Sequence, residues 1–98
     1  MKLEDVLKIL QIAMSCRNRA KMLLIENQYL DESIFDALII YTNNVIATID
    51  LLSDVLDFYY DDLNSAECLE IMQEVKNRID NSAEIEDHLS KYVSLTVH

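Results

Sequence analysis

The stretch from Asp31 to Leu63 limits the possible folds most, because its hydrophobic pattern has the period of one long helix. Its apolar residues recur at spacings of three, four and, once, seven: Ile34, Leu38, Tyr41, Val45, Leu52, Leu56 and Tyr59. This spacing places them on one side of a helix, which other parts of the chain must cover. We therefore predict a helix over about residues 31–62, with further helices packed against its apolar side.

Four aspartates lie nearly opposite that apolar side at the same helical period: Asp50, Asp54, Asp57 and Asp61. No Lys or Arg occurs between Asp31 and Leu63, where eight acidic residues are found. We predict that these aspartates form a partner-binding face, and that the neighbouring Tyr60 contributes to it because tyrosine is common at interface hot spots. The alternative is a solvated face that only keeps the protein soluble.

Two further stretches have helical periodicity, over about residues 2–28 and 65–94. The 98 residues include no Gly and no Pro, so loops that need positive φ and tight hairpin turns are hard to build. We predict an all-α, single-domain protein over residues 1–98, an antiparallel up-down-up bundle of three long helices. A break near residues 80–82 would give four helices, but the absence of Gly and Pro there favours one continuous helix.

The net charge is −10, and it is unevenly distributed: residues 1–30 carry +2, residues 31–63 carry −8 and residues 64–98 carry −4. This field repels nucleic acid and anionic membranes and attracts proteins with basic surfaces. No apolar run is long enough for a membrane span. Cys16 and Cys68 belong to no motif and suit a reducing compartment, although a disulfide between the first and third helices is an alternative. We expect a cytoplasmic protein that binds neither nucleic acid nor membranes.

Polar residues interrupt the apolar sides of all three helices at a similar height of the predicted bundle. Arg17 projects from the apolar stripe of the first helix, Asn44 lies in the second and Glu86 projects from the apolar side of the third. We predict an Arg17–Glu86 ion pair in a polar layer, with Asn44 or Thr48 nearby. A buried pair of this kind adds little net stability but can fix the register of helices.

The candidate chemical groups form no recognisable catalytic or metal-binding set. Glu84 and Asp87 flank His88 at the wrong spacing for the Glu-x-x-His motif of di-iron bundles, and no second histidine lies on a neighbouring helix. The two cysteines and two histidines suggest no nucleophile with a base and an oxyanion donor, and the lack of glycine excludes a phosphate-binding loop. We predict no enzymatic activity, no metal and no cofactor.

These observations favour a small, acidic, non-catalytic interaction module, meaning an adaptor, a chaperone-like partner or an inhibitor. The acidic face is expected to meet a basic protein surface, and an apolar flank formed by Leu51, Val55 and Phe58 to add affinity or to form a homodimer. One alternative is a DNA-mimicking inhibitor of phage or plasmid type. Another is a helical bundle that binds a metal through carboxylates.

Overall fold

The structure, a computed structural model, describes residues 1–27 and 31–93. These residues form three α-helices and no strand: α1 (Leu3–Glu26), α2 (Glu32–Phe58) and α3 (Ala66–Leu89). The predicted all-α fold is therefore confirmed. Positions 28 and 94, where we predicted the ends of the first and third helices, lie outside the described residues.

The two later helices end earlier than predicted. α2 stops at Phe58 rather than at position 62, and Tyr59 closes its last turn by donating its N–H to the Val55 carbonyl at 3.0 Å. α3 ends at Leu89, but it is continuous through Asp80, Asn81 and Ser82, so the single third helix is confirmed and the four-helix alternative is not.

The central helix is α2, and both outer helices pack on it. No Cα atom of α1 lies within 8 Å of a Cα atom of α3. Residues near the end of α1 (Ala20, Leu23) share a cluster with residues near the start of α2 (Leu38, Tyr41), so the two helices are antiparallel. The molecule measures 46 × 20 × 18 Å, as expected for long helices lying side by side.

The buried side chains form two clusters, one towards each end of the molecule. The first joins Ala20 and Leu23 of α1, Leu38 and Tyr41 of α2, and Leu89 of α3. The second is built from Val6 of α1, Leu52 and Val55 of α2, and Cys68 and Val75 of α3. Each cluster therefore contains side chains of all three helices, and the groove described below lies between the two clusters.

Polar side chains cap the starts of two helices. Asp31 caps α2 by accepting from the backbone N–H of Ser33 at 3.0 Å and from its hydroxyl at 2.6 Å. These hydrogen bonds, led by the hydroxyl one, stabilise the carboxylate and lower the pKa of Asp31. At α3 the cap is Ser65, whose hydroxyl accepts from the Cys68 N–H at 3.2 Å.

Replacing Ser65 with alanine should lower the free energy of unfolding by about 0.5–2 kcal/mol, because the Cys68 N–H loses its acceptor at the start of α3. Urea denaturation followed by circular dichroism measures this change. The matched control is Ser15→Ala, the same chemical change at an exposed position inside α1 that caps no helix. If the Ser65→Ala variant is as stable as the wild type, the capping role of Ser65 is contradicted.

Among the described residues, α2 alone is long and apolar enough to cross a membrane by length and composition. A third of its most apolar stretch is buried in the protein. The core helix of a helical bundle passes the same test, and α2 holds that position here because α1 and α3 both pack on it.

Candidate functional site

The acidic face is the first of two candidate surfaces. Asp50, Asp54 and Asp57 are exposed on α2, roughly 140–180° around the helix from the buried Leu52. Asp61 is also exposed, but it follows the end of α2 and so does not continue the helical row. The predicted row of four aspartates on one helix is therefore a row of three, with the fourth in the connection to α3.

None of these aspartates is neutralised by a described residue. The ion pair formed among the described residues joins Arg78 Nε to Glu74 Oε1 on α3 at 3.1 Å, at an angle that makes no hydrogen bond. Acidic side chains in a row on a helix repel one another, and Asp57 also lies at the helix C-terminus, where the helix dipole disfavours negative charge. No basic side chain among the described residues lies within 4.0 Å of these aspartates to offset this cost, so a cation or a basic surface would be attracted there.

Two aromatic side chains stand exposed beside the acidic face. Phe58, the last residue of α2, is 76% exposed, and Tyr60 in the following turn is 58% exposed. The rest of the predicted apolar flank is less accessible, since Val55 is fully buried in the second cluster and Leu51 is half-buried. The available flank is thus an aromatic pair at one end of the acidic face.

The polar layer differs from the predicted one. The Arg17 guanidinium donates from Nε and Nη2 to Oδ1 of Asn18, each at 3.3 Å, on its own helix. No basic nitrogen of a described residue lies within 4.0 Å of the Glu86 carboxylate, so the predicted Arg17–Glu86 ion pair is wrong. The physical reason is the separation of α1 and α3, whose backbones do not approach each other.

Asn44 does belong to a polar layer, but with partners on α3 alone. Its side-chain amide donates to the Arg78 carbonyl at 2.7 Å and to the Ser82 hydroxyl at 2.6 Å. Its Oδ1 accepts from Nη1 of Arg78 at 3.1 Å. The predicted neighbour Thr48 is buried and donates its hydroxyl to the Asn44 carbonyl at 2.9 Å. This network joins α2 to α3 at mid-height.

The second candidate surface is an apolar groove of about 360 Å³ between α1 and α3, with α2 as its floor. It exists because small side chains face each other across the middle of the molecule, Ala13 and Cys16 on α1 and Ser82 and Ala83 on α3. Tyr41, almost fully buried, forms part of the floor. Sequence reasoning missed this groove, and the signal was the run of small residues at matching heights of the two outer helices.

The polar groups in this groove cluster around Tyr41. Burial raises the pKa of its hydroxyl well above the ordinary value, and the neighbouring Cys16 thiol and Glu86 carboxylate act in the same direction. Glu86 carries the one carboxyl group among the described residues that line the groove. Cys16 is half-buried and Cys68 is buried in the second cluster, and both are free thiols, so the disulfide alternative is not realised.

Within the described part of the chain, no three His, Cys, Asp or Glu side chains are grouped so that they could hold a metal ion. His88 instead makes an edge-to-face ring contact with Tyr92, with ring centroids 5.9 Å apart.

Comparisons with protein-family models, with curated proteins and with solved structures gave no match to this chain.

Proposed function

We propose that this chain is a small, acidic, non-catalytic interaction module that works in the cytoplasm as an adaptor, chaperone-like partner or inhibitor. One observation carries the proposal: Asp50, Asp54 and Asp57 form an exposed row on α2 with no basic nitrogen of a described residue within 4.0 Å. A protein with a basic surface would neutralise this row on binding, and charge complementarity of this kind accelerates and orients association.

The aromatic pair supports the same proposal. Binding energy in protein interfaces is concentrated in buried aromatic and arginine side chains, while charges provide steering and specificity. Phe58 and Tyr60 stand exposed next to Asp57 and Asp61, so a partner attracted by the carboxylates would find two aromatic side chains to bury. The same pair is the part of the apolar flank available for the homodimer that we propose as a further assembly.

The DNA-mimic alternative requires a specific charge spacing on the acidic face, because a mimic must repeat negative charge regularly along its surface. Three aspartates on α2 span about 10 Å at a rise of 1.5 Å per residue, and one strand of DNA carries a charge every 3.4 Å or so. Asp61 and Asp62 extend the charge beyond the helix without its spacing. We therefore rank the mimic second and separate it from the general module by competition with DNA.

Changing Asp50, Asp54 and Asp57 together to asparagine should leave the protein folded. Removing the repulsion between neighbouring carboxylates should raise the free energy of unfolding by about 0.2–0.5 kcal/mol per pair, because these side chains have no compensating partner among the described residues. Thermal denaturation and circular dichroism measure this. Unfolding of the triple variant would make the acidic row structural and would remove the binding proposal.

Capture of partners from native lysate tests the function itself. Wild type and the triple asparagine variant are compared after nuclease treatment, beside a control that removes the same charge from α3: Glu70→Gln, Asp80→Asn and Asp87→Asn, all exposed positions. We expect a basic protein that is lost with the α2 variant and kept by the α3 control. Displacement of that protein by added DNA would favour the mimic. Equal retention by both variants would contradict an acidic binding face.

A further inference from the structure

The apolar groove lies on the side of α2 opposite to the acidic face, so it is a separate surface that the proposed function does not use. Its walls run from Ile9 to Cys16 on α1 and from Ile79 to Glu86 on α3. Each wall is about 10 Å long at 1.5 Å per residue, which corresponds to two helical turns. The two clusters of buried side chains lie on either side of this stretch.

The groove lies where a fourth helix would pack in a four-helix bundle. In a four-helix bundle each helix packs against two neighbours, but here α1 and α3 both contact α2 without approaching each other. Ile12 is 63% exposed on one wall and Ile79 is 41% exposed on the other. An amphipathic helix presents apolar side chains at positions i, i+3 or i+4, and i+7, a span of about 10 Å that equals the length of the walls.

The charge of the groove indicates what that helix carries. Glu86 is half-buried, has no basic partner within 4.0 Å among the described residues, and lies among apolar and small side chains. A carboxylate that is partly removed from water gains from an opposite charge with which it can form a hydrogen bond. The occupant is therefore expected to place a lysine or arginine beside its apolar stripe.

A second copy of this chain is a poorer occupant. Each copy carries a net charge of −10, so a second copy in the groove adds repulsion and brings no net counter-charge to Glu86. The homodimer proposed above meets the same repulsion and would have to offset it by burying Phe58 and Tyr60. A partner of opposite charge has no such cost and gains from the long-range field of the protein.

We propose that this groove binds an amphipathic helix of a basic partner protein, which seats its apolar stripe between Ile12 and Ile79 and pairs a lysine or arginine with Glu86. The bound helix would complete a four-helix bundle with α1, α2 and α3. Because the acidic face lies on the other side of α2, the two surfaces can be occupied at the same time.

A displayed library of short helical peptides tests this proposal. The peptides share an apolar stripe and vary at the flanking positions among Lys, Arg, Glu, Gln and Ser, and the full chain is the target. We expect enrichment of Lys or Arg at one fixed flanking position. A synthetic peptide of the enriched sequence should bind the Glu86→Gln variant about five- to tenfold more weakly than it binds the wild type. The loss of affinity in the double variant Ile12→Gln/Ile79→Gln should be at least as large.

The matched control is Glu70→Gln, which removes one charge from an exposed position of α3 outside both the groove and the acidic face. It should bind the enriched peptide as wild type does, and this result separates a local pair with Glu86 from attraction by net charge. Circular dichroism shows whether each variant is folded, and since Ile12 and Ile79 are substantially exposed, the double variant is expected to fold.

Several results would overturn the proposal. One is a peptide selection in which no flanking position is enriched in Lys or Arg. Another is an equal loss of affinity in Glu70→Gln and Glu86→Gln. A third is a wild-type dimer that the Ile12→Gln/Ile79→Gln variant converts to monomers in sedimentation experiments, because the groove would then hold a second copy. If the lysate experiment shows that the acidic face binds no partner, this test of the groove is unaffected, since none of the groove residues lies on that face.

Discussion

Replacing Leu52 with alanine should lower the free energy of unfolding by about 2–5 kcal/mol. Leu52 is fully buried on α2 and belongs to the cluster that joins all three helices through Val6, Val55 and Val75. The substitution removes apolar contacts and leaves a cavity that two flanking helices fill only in part. A domain of this size has a total stability on the order of 5–15 kcal/mol, so the variant should melt many degrees below the wild type.

Leu69→Ala is the matched control, because it makes the same chemical change at a position of α3 that is 47% exposed. We expect a change within about 0.5 kcal/mol, as at other surface positions. Urea denaturation of both variants, followed by circular dichroism, gives the two free energies. Equal losses for Leu52 and Leu69 would mean that α2 is not the core helix described here.

The three helices could be predicted from the sequence because a helix that is buried on one side has apolar residues at the helical period. Leu38, Tyr41, Val45 and Leu52 were predicted on one stripe of α2, and all four are buried. The exposure of Asp50, Asp54 and Asp57 followed from the same pattern, since those positions lie on the opposite side. These predictions required only the period of a single helix.

The end of α2 was harder to predict because the chain has neither Gly nor Pro to mark it. The helical pattern continues through Tyr59, yet the chain turns there, with the Asp62 N–H donating to the Tyr59 carbonyl at 2.9 Å. Two adjacent carboxylates at positions 61 and 62 are unfavourable in a last helical turn, where the helix dipole is negative. That energetic preference is small, so it could not be read as a firm stop signal.

Contacts between helices could not be predicted from the pattern either. Periodicity shows which face of a helix is buried, but it does not fix the rotation and separation of two helices that flank a third. Arg17 and Glu86 were placed at equal heights, but α1 and α3 are held apart and Arg17 bonds Asn18 instead. The apolar groove follows from the same separation, so the failed ion pair and the missed groove have one cause.

Replacing Asn44 with alanine should lower the free energy of unfolding by about 1–3 kcal/mol. The substitution removes three hydrogen bonds to α3: two that Asn44 donates, to the Arg78 carbonyl and the Ser82 hydroxyl, and one that it accepts from Arg78 Nη1. The effect on Arg78 adds to this loss of stability. The Nε atom of Arg78 is already buried without a hydrogen-bond partner among the described residues. Losing the bond at Nη1 leaves its guanidinium with still fewer partners.

Asn43→Ala is a close control, since the neighbouring amide is exposed and the same atoms are removed. It should change the stability by no more than about 0.5 kcal/mol. Asn44→Ala should also reduce hydrogen-exchange protection in the middle of α3, because the network holds that part of the helix against α2. A stability equal to that of Asn43→Ala would show that apolar packing alone positions α3. If the loss is as large as we expect, the same network also holds Ser82 and the neighbouring Ala83 in place as one wall of the groove.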